Sequence, residues 1–248
     1  MKLKKVIGLI PARLESKRLK KKALLNIEGI PMIIHTMKRA SLSKMLDQVI
    51  VCTDSIEIKK EVINYGGKCM ITSKFHSNGT ERIAEIARKI RADLYIDIQG
   101  DEPLINPKHI DKLIKFHHRN QQFDIVVPHL EIPKKLSDFN IVKIISSKNK
   151  IIYFTRSDCP HFYNSKFELL KKHLSIISFK RKSLLNFSNY KKSQLEKIES
   201  IELMRAIENQ QSIGTFKLDG DSFSIDVKKN YLAVKKIMHK DEIFKKYK

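Results

Sequence analysis

The chain has 248 residues, 42% of them hydrophobic, which is enough to bury a full core, and α/β chains of this length commonly fold as one domain, so one domain spanning 1–248 is expected. The formal charge of +22 comes mostly from lysine, 39 Lys against 10 Arg, spread without Gly/Arg repeats, zinc-finger spacing or clustered aromatics, and it argues against a specific nucleic-acid partner. Cys52, Cys69 and Cys159 are odd in number and lack zinc-site spacing, so they read as reduced thiols of a cytoplasmic protein, while Pro11 interrupts the N-terminal apolar run before signal-peptide or membrane-span length.

Val6 to Ile10 is a short apolar run of the kind buried in a parallel sheet, and a basic loop follows it directly. Open α/β sheets bind ligands at the carboxyl ends of their strands. There Arg13, Arg18 and Lys22 can converge on an anion, with arginine offering a planar fork of donors and lysine a mobile point charge. The same loop also fits a solvated face of a lysine-rich protein.

Pro31 opens a helix over 32–40, in which His35 reads as a packing residue. Val49 to Thr53 predicts a second buried strand, and Asp54 or Ser55 can cap the helix that runs to Gly66-Gly67. A weaker strand follows over 68–72. His76-Ser77-Asn78-Gly79-Thr80-Glu81-Arg82 precedes a helix with Ile83, Ile86, Ala87 and Ile90 at helical spacing. By itself that stretch fits a capping segment, and it also fits backbone donors reading a base edge or an anion. Leu94 to Ile98 is a further strand, and Gln99-Gly100-Asp101-Glu102-Pro103 sets Asp101 just past its end, where a carboxylate can bind Mg²⁺ together with nucleotide phosphates.

A helix from Pro107 through Phe116 and a strand over 125–127 continue the alternation. Residues 140–145 and 151–155 are then separated so briefly that they predict an antiparallel hairpin. Another strand is expected over 174–179. A helix is expected over 198–207, with Glu199, Glu202 and Arg205 near one face. Phe223 to Asp226 reads as a short strand ahead of a last helix over 229–238.

Three ordered motifs, Ile10-Pro11-Ala12-Arg13 with Ser16, Arg18-Leu19 and Lys22, then His76-Ser77-x-Gly79-Thr80-Glu81-Arg82, then Gln99-Gly100-Asp101-Glu102-Pro103, resemble the 3-deoxy-manno-octulosonate cytidylyltransferases, or CMP-Kdo synthetases. The likeness continues more loosely through Tyr153-Phe154-Thr155-Arg156, His173-Leu174, Leu195-Glu196-x-Ile198-Glu199-x-Ile201-Glu202 and Ile225-Asp226. It implies the Rossmann-like nucleotide-diphospho-sugar transferase fold, a mixed, mostly parallel sheet with helices on both faces. A nucleotide-binding half over 1–128 and a sugar-acid and dimerisation half over 129–248 would form a homodimer without membrane insertion.

The implied reaction couples CTP to 3-deoxy-manno-octulosonate (Kdo) with release of pyrophosphate, for lipopolysaccharide or surface-polysaccharide synthesis. On this likeness Arg18 and Lys22 serve the triphosphate, and Asp101 and Asp226 hold Mg²⁺. Ala12, Arg13, Ser77, Gly79, Thr80 and Gln99 hold the cytidine, and Arg156, His173 and Glu202 face the sugar acid. The basic loop lacks the family's Pro and Gly, which leaves Lys20 and Lys21 as competitors of Lys22. Ile177 and Leu203 replace a Tyr and a Gln on the sugar side, so another acid sugar, amino-substituted or sialic-acid-like, is an alternative acceptor. A glycosyltransferase using a preformed sugar nucleotide is a further alternative.

Overall fold

The computed structural model describes residues 5–16, 18–164 and 168–248. They form two compact units, the first made of 1–112 with 222–248 and the second of 113–221.

The first unit is organised on β1 (Val6–Ala12), a strand buried at every position. Two short strands, β2 (Asn26–Ile27) and β3 (Ile30–Pro31), make a tight hairpin that leads into α1 (Met32–Ala40). Then come β4 (Gln48–Thr53), α2 (Ile56–Asn64), β5 (Lys68–Ile71), α3 (Gly79–Lys89), β6 (Leu94–Ile98) and α4 (Pro107–Arg119), whose residues from 113 on belong to the second unit. The four long strands are all parallel, in the order β5-β4-β1-β6. β1 is paired along both edges and buried at every position, so neither of its faces is solvated, which is why it reads as an unbroken apolar run. Of the two possible caps for α2 it is Ser55 that accepts from Ile58 N, at 3.2 Å, because Asp54 is engaged by Arg82.

The second unit holds β7 (Ile125–Val126), β8 (His129–Pro133), β9 (Lys143–Ser147), β10 (Lys150–Thr155), β11 (Leu169–His173) and β12 (Ile176–Lys180). After these come α5 (Arg181–Phe187), α6 (Gln194–Glu199), α7 (Met204–Glu208) and β13 (Ile213–Gly214). The strands lie in the order β12-β7-β13-β10-β9-β11-β8, with the expected β9–β10 hairpin antiparallel and β13 parallel to β7.

The continuous helix expected over 198–207 is two helices. Ser200 adopts φ 55° between them and the chain turns before Met204. Glu199, Glu202 and Arg205 therefore do not share a helix face. Arg205 instead forms a bidentate pair with Glu196, at 2.7 and 2.6 Å, and sits over the Phe187 ring. A buried guanidinium needs such a partner, and the break between the helices folds α7 back to supply it.

The last helix, α8 (Lys228–Met238), returns to the first unit. Residues 223–226 ahead of it form no ladder. They are an extended arm whose Phe223 and Ile225 pack into a cluster with Ile27, Met32, Val234, Met238 and Phe244. His35 lies fully buried beside this cluster as a packing residue. Its Nε2 donates to Ile27 O at 2.8 Å, so Nδ1 accepts from the Tyr247 hydroxyl at 2.9 Å, an arrangement that needs the neutral ring. Burial accordingly lowers its pKa.

In the second unit His129 and His173 face each other across β8 and β11. Burial first, and then Lys171 for His129 and Lys172 for His173, brings both imidazoles from 6.5 down to about 4. The unfolded chain takes up these protons near pH 6.5, but the folded unit does so only near pH 4. Stability present above pH 6.5 is therefore lost as the pH falls through that window. Thermal melts taken from neutral pH down to about pH 4.5 should show a falling midpoint, and the double variant His129→Gln, His173→Gln should flatten the slope. An unchanged slope in that variant would assign the acid sensitivity to other groups.

Candidate active site

A cleft of about 480 Å³ opens in the first unit, floored by Pro11 and Ala12 at the end of β1 and by Gln99, Gly100 and Asp101 past the end of β6. This is the carboxyl edge of the parallel sheet, where strand ends leave main-chain groups unpaired and side chains can converge. Two glycines let the backbones come close there. A Cβ on Gly100 would stand 2.9 Å from Pro11 O, and one on Gly79 would stand 3.0 Å from Pro11 Cγ.

One wall is the start of α3. Asn78 caps it by accepting from Glu81 N at 2.8 Å, while the Glu81 carboxylate accepts from Ser77 N at 2.9 Å. Ser77 and Gly79 line the cleft. Thr80, one residue further along the helix, is fully buried and is not among the lining residues. Arg82, quoted above only as part of a motif, is a lining residue. It donates to Asp54 at 2.8 Å and to Thr72 at 2.5 Å, tying α3 to the ends of β4 and β5. Gln99 is oriented from beneath by the fully buried Asp97, whose two carboxylate oxygens each accept from its Nε2 at 3.1 Å. Asp97 escaped the sequence reading because an aspartate inside a buried strand carries no motif of its own.

The opposite wall is the basic loop. Arg13 and Arg18 are exposed along it, and a tight turn with Lys21 at φ 51° carries Lys22 inward. Lys22 Nζ lies 2.6 Å from Asp101 Oδ2 and 3.4 Å from Asp226 Oδ1, and Arg18 Nη2 lies 2.7 Å from the same Asp226 oxygen. Asp101 and Asp226, separated by half the sequence, thus bear on one ammonium group. Lys20 is exposed and Lys21 is held by Glu57 at 2.8 and 2.9 Å, so of the three consecutive lysines Lys22 is the one directed at the carboxylates. The Arg18–Asp226 pair is more than a third exposed on both sides, and pairs of that kind contribute about 0–1 kcal/mol, so it can exchange partners at little cost. At the rim, burial opposes ionisation of Glu85, but hydrogen bonds from Lys89, Ser73 N–H and His76 bring it down to about 2.

The sugar-side candidates belong to the second unit. Arg156 donates to the main-chain carbonyls of Glu199, Phe139, Asn140 and Ser200 at 3.0 to 3.3 Å, while its own N–H donates to the Glu199 carboxylate. That clamp competes with the role the resemblance gave it. His173 lies edge-on to the Phe154 ring, and Glu202 lies in the turn between α6 and α7. Ile177 and Leu203, where the resemblance expects a Tyr and a Gln, are both buried in the core of the unit.

A cytidylyltransferase family model matches residues 7–213. The 3-deoxy-manno-octulosonate cytidylyltransferase of Fusobacterium nucleatum subsp. nucleatum is 39% identical over 230 residues, covering 91% of this chain and 94% of its own. The chain belongs to the 3-deoxy-manno-octulosonate cytidylyltransferase family. The enzyme of that name from Chlorobium limicola is 40% identical over 212 residues, covering 83% of this chain and 85% of the relative. A solved CMP:2-keto-3-deoxy-manno-octonic acid synthetase, complexed with CTP, superposes with a TM-score of 0.91 at 31% identity, covering 95% of this chain and 99% of that one. Against a 4-diphosphocytidyl-2C-methyl-D-erythritol synthase of Anaerococcus prevotii the TM-score is 0.62 at 12% identity, a likeness of fold alone.

For this family member the geometry separates the lysines: Lys22→Met should cost about 10²–10³ in kcat by removing a preorganised cation, whereas Lys21→Met should stay within about twofold, both read by steady-state kinetics. Arg156→Ala should lower stability by about 2 kcal/mol, since hydrogen bonds to a charged donor are lost from a loop that has no substitute. A thermal midpoint unchanged by that variant would show that the carbonyl clamp contributes nothing.

Proposed function

We propose that the protein transfers the cytidylyl group of CTP to Kdo, giving CMP-Kdo and pyrophosphate, and the observation that carries this reading is the convergence of Asp101, which lines the cleft, and of Asp226 on the lining residue Lys22. The activity for which the relatives are named supplies the substrates. The cleft supplies the means: a narrow floor against which a base can lie, a capped helix start and a ring of cations opposite two carboxylates.

In this reading the cytidine lies against Ala12, Arg13, Ser77, Gly79 and Gln99, with Gln99 held in one orientation by Asp97. Thr80 contributes by starting α3 rather than by touching the base. Arg18 and Lys22 exchange their carboxylate partners for the triphosphate and then for the leaving pyrophosphate, which accumulates negative charge as the bond to the α-phosphorus breaks. In-line attack by the sugar's anomeric hydroxyl needs little from the protein beyond positioning and charge neutralisation.

The two aspartates also fit a hard divalent cation. Both offer oxygen donors to one point already held by a positive charge, and such a cation takes its remaining ligands from phosphate oxygens and water. Asp101 and Asp226 would hold Mg²⁺, which when bound would polarise phosphoryl oxygen.

The sugar acid would be taken by the second unit, with His173 and Glu202 as contacts and Arg156 shaping the loop that presents them. A homodimer is part of the reading, supported by the exposed Leu136, Phe139, Ile152 and Ile198 of that unit. No described helix is long and apolar enough to cross a membrane. The proposed setting is the cytoplasm, with the product feeding lipopolysaccharide or surface-polysaccharide synthesis.

Pyrophosphate release measured with each nucleoside triphosphate, with and without Mg²⁺ and Kdo, tests the proposal. Release that requires CTP, Kdo and Mg²⁺ together, and that Asp101→Asn abolishes without lowering the thermal midpoint, is the expected result. Turnover with CTP and only a different acid sugar would move the acceptor. Failure to bind CTP would overturn the reading.

A further inference from the structure

The residue after Asp101 faces away from the cleft and is almost completely buried. Glu102 is 2% exposed, and its side chain meets the arm that carries Asp226. Glu102 Oε1 accepts from Ser222 Oγ at 3.2 Å and also from Ser224 Oγ, and Oε2 accepts from Ser222 Oγ at 3.3 Å. The backbone adds a further link, Ile225 N donating to Asp101 O at 3.0 Å. These contacts bridge residues 120 and 122 positions apart in sequence.

The arm alternates as an extended chain must. Phe223 and Ile225 enter the apolar cluster beneath α8, while Ser222, Ser224 and Asp226 alternate with them. The apolar side chains fix which face of the arm is buried. They leave open a slip of two residues, which keeps the same face buried. The hydroxyls oppose it: two serines spaced to fit one carboxylate hold a single register, and a slip of two residues would carry Asp226 along the arm and away from Lys22.

We propose that Glu102 is a positioning residue for the reaction, setting the separation of Asp101 from Asp226 through Ser222 and Ser224 and so tuning the cation site that these aspartates form. The inference rests on the reading of Asp101 and Asp226 as the metal-holding pair. Residues that orient metal-binding carboxylates commonly change metal affinity by about 10–100-fold when replaced.

The probe is Mn²⁺ binding to the full-length protein saturated with a non-hydrolysable CTP analogue, followed by electron paramagnetic resonance, alongside thermal melts and the split of kcat from the KM for CTP. Glu102→Gln and, separately, the double variant Ser222→Ala, Ser224→Ala should weaken Mn²⁺ binding by about tenfold or more and lower kcat, with the KM for CTP within about twofold. Raised Mn²⁺ should restore part of the lost rate. If Glu102→Gln fails to fold, the serine pair alone decides the matter, since it leaves the carboxylate in place.

In an Asp226→Asn background Glu102→Gln should add no further loss of Mn²⁺ affinity, as two changes on one path are not additive. Normal Mn²⁺ affinity in both the Glu102 and the serine variants, while Asp101→Asn and Asp226→Asn lose it, would overturn this inference alone. Normal affinity in the aspartate variants as well would overturn the metal reading and the inference with it.

Discussion

The site depends on the return of the C-terminal segment to the first unit. Asp226 has no neighbour in sequence among the cleft residues, and it reaches Lys22 and Arg18 because α8 and the residues around it bury Ile225, Val234, Met238 and Phe244 against Ile27 and Met32. Burying a side chain of this kind contributes about 1.5–3 kcal/mol, whereas the exposed Arg18–Asp226 ion pair contributes at most about 1 kcal/mol. Packing therefore brings the carboxylate to the site, and the ion pairs then respond to what binds there. Leu19, next to Arg18 in the basic loop, packs against the same cluster, so one apolar body supports both the cationic and the anionic parts of the cleft.

That division of labour suits a reaction whose charges must be rearranged. Lys22, Arg18, Asp101 and Asp226 balance one another as they stand. In the proposed function a polyanionic nucleotide and a divalent cation would enter by exchanging partners within the group, without uncovering an unpaired buried charge. The large net charge of the chain is a separate matter, since the cations that meet the cleft are few and most lysines lie elsewhere on the surface.

The second unit uses its charged residues differently. Arg205 with Glu196, Arg156 with four carbonyls, and the buried Lys143 with the carbonyls of Asp138 and Arg156 are fully engaged in holding loops and short helices. A unit built from short strands and interrupted helices has many main-chain carbonyls outside ladders, and long cationic side chains satisfy them. Ile177 and Leu203 belong to its apolar core, so their departure from the family pattern is accommodated by packing.

Much of this was legible in the chain itself. A continuous apolar run ending at Pro11 could only be a strand buried on both faces, and the basic loop, the Asn78-Gly79 helix start and the turn at Gln99-Gly100-Asp101 followed from local chemistry at strand and helix ends. Local pattern failed where a distant partner decided the outcome. Helical spacing over 198–207 gave no sign of the turn at Ser200, which exists because Arg205 must meet Glu196. The alternation over 223–226 read as a strand, but the arm pairs with no strand and takes its register from Glu102, more than a hundred residues away. The sequence by itself determined the elements and the chemical character of the loops, since propensity, capping and periodicity act over a few residues. Only the tertiary structure decided which lysine meets the carboxylates, that Thr80 is turned inward and that Asp226 joins Asp101, because those outcomes depend on apolar packing and buried hydrogen bonds between segments that local pattern cannot relate.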